Sequence, residues 1–258
     1  MIFAIINDIY TKGNSMKKKV LITGANKGLG LETALQLGLA GHTILITSRN
    51  SDNLKNAMNF LASHQIQSFG YIADMLKEDD RIQLAKNIAL DHDYLDILIN
   101  NAGTQLDFPS FMPGNSSETV SQEVLKNTFE VNLFAPIHLT QLLLPLLKKS
   151  SAGRIVNVSS IMGSLALHAD TKSPIYGIKL LAYNSSKTAL NQFTIHLSEA
   201  LNGTNIRVNS AHPGWVKTDL GGEYAPMSLQ EGVKTILDLT QEHCPHGSFI
   251  HDGNSIPW

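Results

Sequence analysis

Tyr183 and Lys187 stand four residues apart in a segment whose apolar residues recur with helical spacing. Side chains at that separation leave a helix from one face. A free tyrosine titrates near ~10, too high for acid–base work at neutral pH, and a neighbouring ammonium that stabilises the phenolate lowers that value. Read this way, the pair is a general acid for a carbonyl under reduction, or a general base for the reverse reaction. The spacing alone is common, and a packed tyrosine beside a solvated lysine gives the same letters, so the weight comes from residues upstream. Tyr176 and Lys179 imitate the pair, but they are three apart and lie in a loop-like stretch.

The upstream signal is Thr23-Gly24-Ala25-Asn26-Lys27-Gly28-Leu29-Gly30, which follows a short apolar run and opens a helical one. Glycines at 24, 28 and 30 permit a tight turn and a close backbone approach. The helix N-terminus behind them offers free N–H groups and a favourable dipole to a pyrophosphate. A strand before and a helix after make this the context of a dinucleotide site. The second strand-like run ends Thr47-Ser48-Arg49-Asn50, with no acidic residue until Asp52. An acid at this place hydrogen-bonds the ribose hydroxyls and repels a 2′-phosphate, whereas arginine accommodates it. Arg49 offers a planar fork of donors, and Lys27 approaches the same phosphate from the glycine turn. The expected cofactor is therefore NADP(H).

Positioning these groups takes a layered scaffold. Strand-like runs cover residues 20–23, 43–47, 68–73, 95–100, 154–159, 206–211 and 248–251, most of them near-continuously apolar, as for strands covered on both faces. Helical spacing covers 29–39, 54–61, 78–90, 118–147, 182–201 and 229–239. Ser51 or Asp52 is the expected cap of the second helix, and Pro136 and Pro145 are expected to kink or end parts of the fourth. The alternation implies an α/β fold: a doubly wound parallel sheet of about seven strands with helices on both faces. A ligand belongs beyond the carboxyl ends of the strands, where strand order reverses. No linker, repeat or low-complexity tract divides the 258 residues. Residues 16–258 are expected as one domain and residues 1–15 as a disordered or dispensable arm.

Composition narrows the partners. Apolar residues make up 43%, charged residues 16%, and the formal net charge is −2. No basic stretch extends beyond Lys17-Lys18-Lys19, so nothing speaks for nucleic acid. The apolar start, residues 1–10, is short, is broken by Asn7 and Asp8, and is followed by its positive charges; it reads as neither signal peptide nor membrane span. Cys244 is the single cysteine, which excludes an intrachain disulfide and fits a reducing, cytoplasmic compartment. The ten histidines show no HExxH or related spacing, so no metal is expected. His212 reads as structural or site-lining, and Trp215 and Tyr224 as a substrate wall or as core.

Further motifs follow in register. Asp74 comes after the third strand, Asn100-Asn101-Ala102-Gly103 ends the fourth, and Asn132 lies in Phe129-Glu130-Val131-Asn132. Residues 154–160 read RIVNVSS, Tyr183-Asn184-Ser185-Ser186-Lys187 reads YxxxK, and Pro213-Gly214 is followed by Thr218. With the TGxxxGxG turn, this set resembles the short-chain dehydrogenase/reductase family over residues 17–258. The resemblance implies a single-domain Rossmann fold and a catalytic set of Ser160, Tyr183, Lys187 and Asn132. Ser160, rather than Ser159, then hydrogen-bonds the substrate oxygen, where a hydroxyl stabilises developing negative charge. Lys187 serves both the phenol and a ribose hydroxyl, and the Asn132 backbone carbonyl joins a water relay to the lysine. The implied cofactor contacts are Gly24, Asn26, Lys27, Gly28, Leu29 and Gly30 in the turn, and Arg49, Asp74 (at the adenine) and Met75 beyond it. Asn101, Ala102, Gly103, Tyr183, Lys187, Pro213, Gly214, Val216 and Thr218 complete them.

Two departures bear on substrate and assembly. Between Ser160 and Tyr183 lie 22 residues, more than the family usually has. The extra stretch, about 170–180, resembles the insertion of monomeric carbonyl reductases, which covers a helical surface used for tetramers, so a monomer or dimer is expected. The segment after Thr218, usually the substrate lid, is short and implies an open site. The expected reaction is NADPH-dependent reduction of a small aldehyde or ketone to the alcohol. The alternatives are an NAD-dependent alcohol or hydroxysteroid dehydrogenase and an inactive cofactor-sensing regulator, which would need no Ser160, Tyr183 and Lys187 together.

Overall fold

Val20 and Ile22 face one apolar layer and Leu21 faces another, so the first strand is covered on both sides. The fold is that of residues 17–107 and 117–258 in a computed structural model of the chain; the expected arm, residues 1–15, lies outside the described residues. The chain runs β1 (Lys19–Ile22), α1 (Gly28–Leu39), β2 (Thr43–Ser48), α2 (Ser51–Ser63), β3 (Ser68–Ile72), α3 (Glu78–Asp91) and β4 (Ile97–Asn100). Next come α4 (Gln122–Phe129), a π-helical turn (Glu130–Phe134), α5 (Ala135–Leu147) and β5 (Arg154–Val158). A 3₁₀ turn (Ile161–Gly163), α6 (Leu165–Ala169), α7 (Leu181–Ala200), β6 (Arg207–Ala211), α8 (Leu229–Asp238), β7 (Ser248–His251) and β8 (Asn254–Ser255) complete it.

The strands form one sheet in the order β3-β2-β1-β4-β5-β6-β7-β8. All neighbouring pairs are parallel except β7–β8, a short antiparallel hairpin. The expected seven strands are present and β8 is an eighth; two residues at a hairpin turn carry no periodicity by which to find it. Ile44, Ile46, Ile97, Ile99, Val156 and Val158 line one face with residues of α1, α2 and α8. Leu45, Leu98, Ile155 and Val208 line the other with residues of α3, α5 and α7. Strand order reverses between β1 and β4, the point beyond whose carboxyl ends doubly wound sheets bind their ligands.

The segment expected as one long helix is three pieces. Pro136 has no N–H to offer the Asn132 carbonyl, and the helix passes this point as a π turn, in which the Ala135 N–H reaches back five residues to Glu130 O. Pro145 lies inside α5 without ending it. Residues 122–147 are long and apolar enough to cross a membrane by length and composition, but half of that window is buried against the protein. The cap of α2 is Asn50, not Ser51 or Asp52: its side-chain oxygen accepts from Asn53 N–H at 2.9 Å, and both expected caps lie inside the first turn of the helix.

Candidate active site

The glycine turn between β1 and α1 is stitched to its neighbours by Thr23. Its hydroxyl oxygen accepts from the N–H groups of Asn101 (3.1 Å) and Ala102 (3.0 Å). Asn101 returns its side-chain amide to Thr23 O (2.8 Å) and Gly24 O (3.3 Å), and Gly24 N–H donates to Thr47 Oγ1 (3.1 Å). Gly24 and Gly28 have φ of 63° and 57°, where a side chain is strained. A Cβ on Gly30 would meet Asn101 Nδ2 at 2.5 Å and Ala25 Cα at 2.8 Å. The first turn of α1 has neither an acidic residue nor a side-chain cap, so its N–H groups remain for an anion. These residues fit the pyrophosphate of a dinucleotide.

The expected cofactor residues are not all disposed alike. Arg49 is exposed just past β2. Lys27 is exposed too, but its ammonium pairs with Asp219 of the segment after Thr218, not with a group beside Arg49. A carboxylate nearly two hundred residues on lies outside any local pattern, so that pairing was not foreseeable. Asn26 and Leu29 are half-buried in the turn. Asp74 accepts from Leu76 N–H (3.1 Å). Met75 and Val216 are buried, so contact from them would come through the main chain. Pro213 is buried and Gly214 has a φ of 91°. Thr218 Oγ1 donates to Val216 O (3.3 Å) and accepts from Gly221 N–H (3.0 Å).

At the end of β5, Ser160 caps the 3₁₀ turn, its hydroxyl oxygen accepting from Met162 N–H (3.2 Å). From the first turns of α7 come Tyr183 and Lys187, both buried. The phenol packs on Met162 and on Ile175 of the inserted stretch. Burial raises its pKa above the ordinary tyrosine value, and hydrogen bonding with Ser160 opposes that rise. Lys187 Nζ donates to Val158 O at 2.8 Å and lies 5.7 Å from the Tyr183 ring centre. Burial lowers the ammonium to about 8. Desolvation is the largest influence on both groups, upward for the phenol and downward for the ammonium.

Asn132 is fully buried in the π turn. Its side chain zips onto the loop after β4, accepting from Thr104 N–H and donating to Thr104 O, both at 2.8 Å. It also donates to Ser186 Oγ (3.0 Å), which donates to Tyr183 O (2.7 Å). A Cβ on Gly103 would stand 3.5 Å from Asn132 Oδ1 and 3.6 Å from Lys187 Nζ. The structure thus gathers Ser160, Tyr183, Lys187, Asn132 and Gly103 at the carboxyl ends of β4 and β5. Arranged so, they can hold an oxygen against a hydroxyl, a neutral phenol and an ammonium.

Burial separates the alternatives at three other groups. His212 is buried, its ring tilted at 43° against that of His251 with centroids 4.7 Å apart, and is lowered to about 3 by burial first and His251 second, in keeping with the structural reading. Trp215 and Tyr224 are exposed, which removes core packing as their role. An open cleft of about 670 Å³ is lined by Lys217, Thr218, Asp219, Gly222, Glu223 and Tyr224; Ser160, Tyr183 and Lys187 do not line it. Three contributors escaped the sequence reading. The Val158 carbonyl and Gly163, whose Cβ would press on the Lys187 backbone at 2.8 Å, carry no signal in their letters. Asp107 is a lone acid in a loop.

Comparison with known proteins agrees with this geometry. The family model described as short chain dehydrogenase matches residues 18–228. A short-chain dehydrogenase of Penicillium roqueforti is 33% identical over 250 residues, covering 93% of this chain and 96% of the relative. Human dehydrogenase/reductase SDR family member 4 is 32% identical over 209 residues, covering 81% of this chain and 69% of the relative. Among solved structures, the NADPH-bound carbonyl reductase from chicken fatty liver superposes with a TM-score of 0.80 at 26% identity, covering 94% of this chain and 99% of that one. The carbonyl reductase Sniffer of D. melanogaster gives 0.78 at 29%, covering 94% and 100%. With sequence, sheet order and site in agreement, the chain belongs to the short-chain dehydrogenase/reductase family.

Proposed function

We propose that this chain reduces an aldehyde or ketone to the alcohol, with NADPH as the cofactor and Tyr183 as proton donor. The reduced nicotinamide supplies the hydride when bound. Ser160 and Tyr183 grip the carbonyl oxygen, and the phenol delivers the proton as negative charge develops there. Lys187 places its ammonium behind the phenol and in reach of a ribose hydroxyl, and Asn132 holds the loop that borders it. The observation that carries the reading is the meeting of Ser160, buried Tyr183 and Lys187 at the carboxyl ends of β4 and β5, a hydroxyl, a phenol and an ammonium placed together as the reduction of a carbonyl requires.

Preference for NADPH rests on Arg49 at the end of β2, with no acid beside it until Asp52. The likeness to a carbonyl reductase described as NADPH-bound is in keeping with this. Short-chain dehydrogenases act on small molecules, and we read the partner here as a carbonyl compound, the assembly as monomer or dimer, and the compartment as cytoplasmic, which suits a single, buried cysteine. The test is NADPH consumption with a panel of aldehydes, ketones and quinones, repeated with NADH. Turnover of at least one carbonyl, with NADPH favoured, is expected. No turnover across the panel, or an NADH preference, contradicts the reading.

A further inference from the structure

Helix α7, which carries Tyr183 and Lys187, begins without a cap of its own. Its N-cap residue is Leu180, whose side chain offers no oxygen, and no side-chain cap is made there. Four other helices, α2, α4, α6 and α8, are capped by the side chain at their own N-cap: Asn50, Ser121, Ser164 and Ser228. The first-turn N–H groups of a buried helix need acceptors from somewhere. In α7 they find them 75 residues away: Ala182 N–H donates to Asp107 Oδ1 and Tyr183 N–H donates to Asp107 Oδ2, both at 2.9 Å. Asp107 is 0% exposed. A buried carboxylate is costly unless it is hydrogen-bonded, and a helix N-terminus is a place where negative charge is stabilised.

We propose that Asp107 is the positioning residue of Tyr183, resting on the reading of that tyrosine as the proton donor. Asp107 lies in the loop that leaves β4 through Asn101, Ala102 and Gly103, and the same loop is held at Thr104 by Asn132. Its carboxylate grips the peptide of Tyr183 itself. The cofactor-side loop and the proton donor are thereby fixed to each other from the main chain, while Ser160 meets the phenol at the other end. A local serine at position 180 would satisfy the same N–H groups but would leave the loop and the helix free to shift apart. Misplacement of about 1 Å at a reacting centre costs on the order of 100-fold, so a group that fixes the donor's backbone acts on turnover without touching substrate.

The test uses Asp107→Ala, Asp107→Asn and the double variant Asp107→Ala/Leu180→Ser, which returns an oxygen to the N-cap. Carbonyl turnover is divided by the concentration of NADPH-binding sites counted by fluorescence titration, and the NADPH Kd comes from the same titration. In Asp107→Ala the turnover per site is expected to fall by about tenfold or more with Kd changed by less than about threefold, and the Leu180→Ser change, which caps the helix without tying it to the loop, is expected to leave most of that loss in place. Turnover per site within about twofold of the parent, or a loss that Leu180→Ser fully relieves, overturns the proposal. If Asp107→Ala binds no NADPH, Asp107→Asn, which keeps one acceptor, is judged by its turnover and Kd alone; loss of binding in both means that the carboxylate holds the fold, not the tyrosine. The readings separate cleanly. Tyr183→Phe with near-normal turnover sinks the proton-donor assignment, whereas an inactive Tyr183→Phe beside a fully active Asp107→Ala sinks only the positioning role.

Discussion

Burial moves the protons of Tyr183 and Lys187 in opposite senses, up for the phenol and down for the ammonium. The lysine's folded value, about 8, lies below its unfolded 10.5. Between those two values the unfolded chain binds a proton that the folded chain does not, so stability rises with pH across that window. Melting of the cofactor-free protein should show this: the difference in Tm between the parent and Lys187→Met is expected to climb from pH 8 to pH 10.5. A flat difference would mean that the amine is not desolvated. Arg49 and Lys27 pose a different question at the same scale. Hydrogen bonds to charged groups contribute ~1.5–3 kcal/mol, so Arg49→Ala is expected to lose most of the NADPH-over-NADH preference in kcat/KM while NADH activity survives. Asp219 competes for Lys27, and Asp219→Asn is expected to raise that preference by freeing the ammonium. NADPH affinity untouched in Arg49→Ala would remove Arg49 as the phosphate clamp.

At the scale of elements, the active site depends on how closely the 3₁₀ turn after Ser160 sits on α7. Gly163 permits that approach: a Cβ there would lie 2.8 Å from the Lys187 carbonyl carbon, 2.9 Å from its oxygen and 3.0 Å from Asn191 Nδ2. The obstacle is backbone, which cannot rotate away. Gly163→Ala is expected to cost about 1–3 kcal/mol of stability and to reduce turnover more than NADPH affinity; a variant with parental Tm and turnover would show that the turn and helix part easily. The strands and the main helices were legible in the sequence because apolar runs and helical spacing persist over many residues. The π turn was legible only as an oddity, an asparagine four residues before a proline in a helical run, since the letters do not say whether such a helix kinks, ends or widens. The 3₁₀ turn, α6 and β8 are too short for a period to develop. Asp107 shows the same limit in the site: Tyr183, Lys187 and the glycine turn announce themselves by local spacing, but a cap supplied across 75 residues exists only once the fold has brought it there.

The whole molecule works as a doubly wound sheet whose reversal point, between β1 and β4, brings three segments together. The glycine turn comes from the first strand, the Asn101–Gly103 loop from the fourth, and Ser160 from the fifth, next along the sheet. The crossover helix α7 then lays Tyr183 and Lys187 across that end. Two distinct apolar layers, one on each face, hold this arrangement, so the site is assembled by elements far apart in sequence on a frame that leaves them little freedom. The central claim is that the phenol at this junction gives the proton to a reduced carbonyl. Its most direct measurement is turnover and NADPH Kd for the parent and Tyr183→Phe on one carbonyl substrate from the panel. General acid catalysis contributes ~10²- to 10⁴-fold, so turnover is predicted to fall within that range while Kd stays near the parental value; a loss smaller than about tenfold with intact binding would contradict the account.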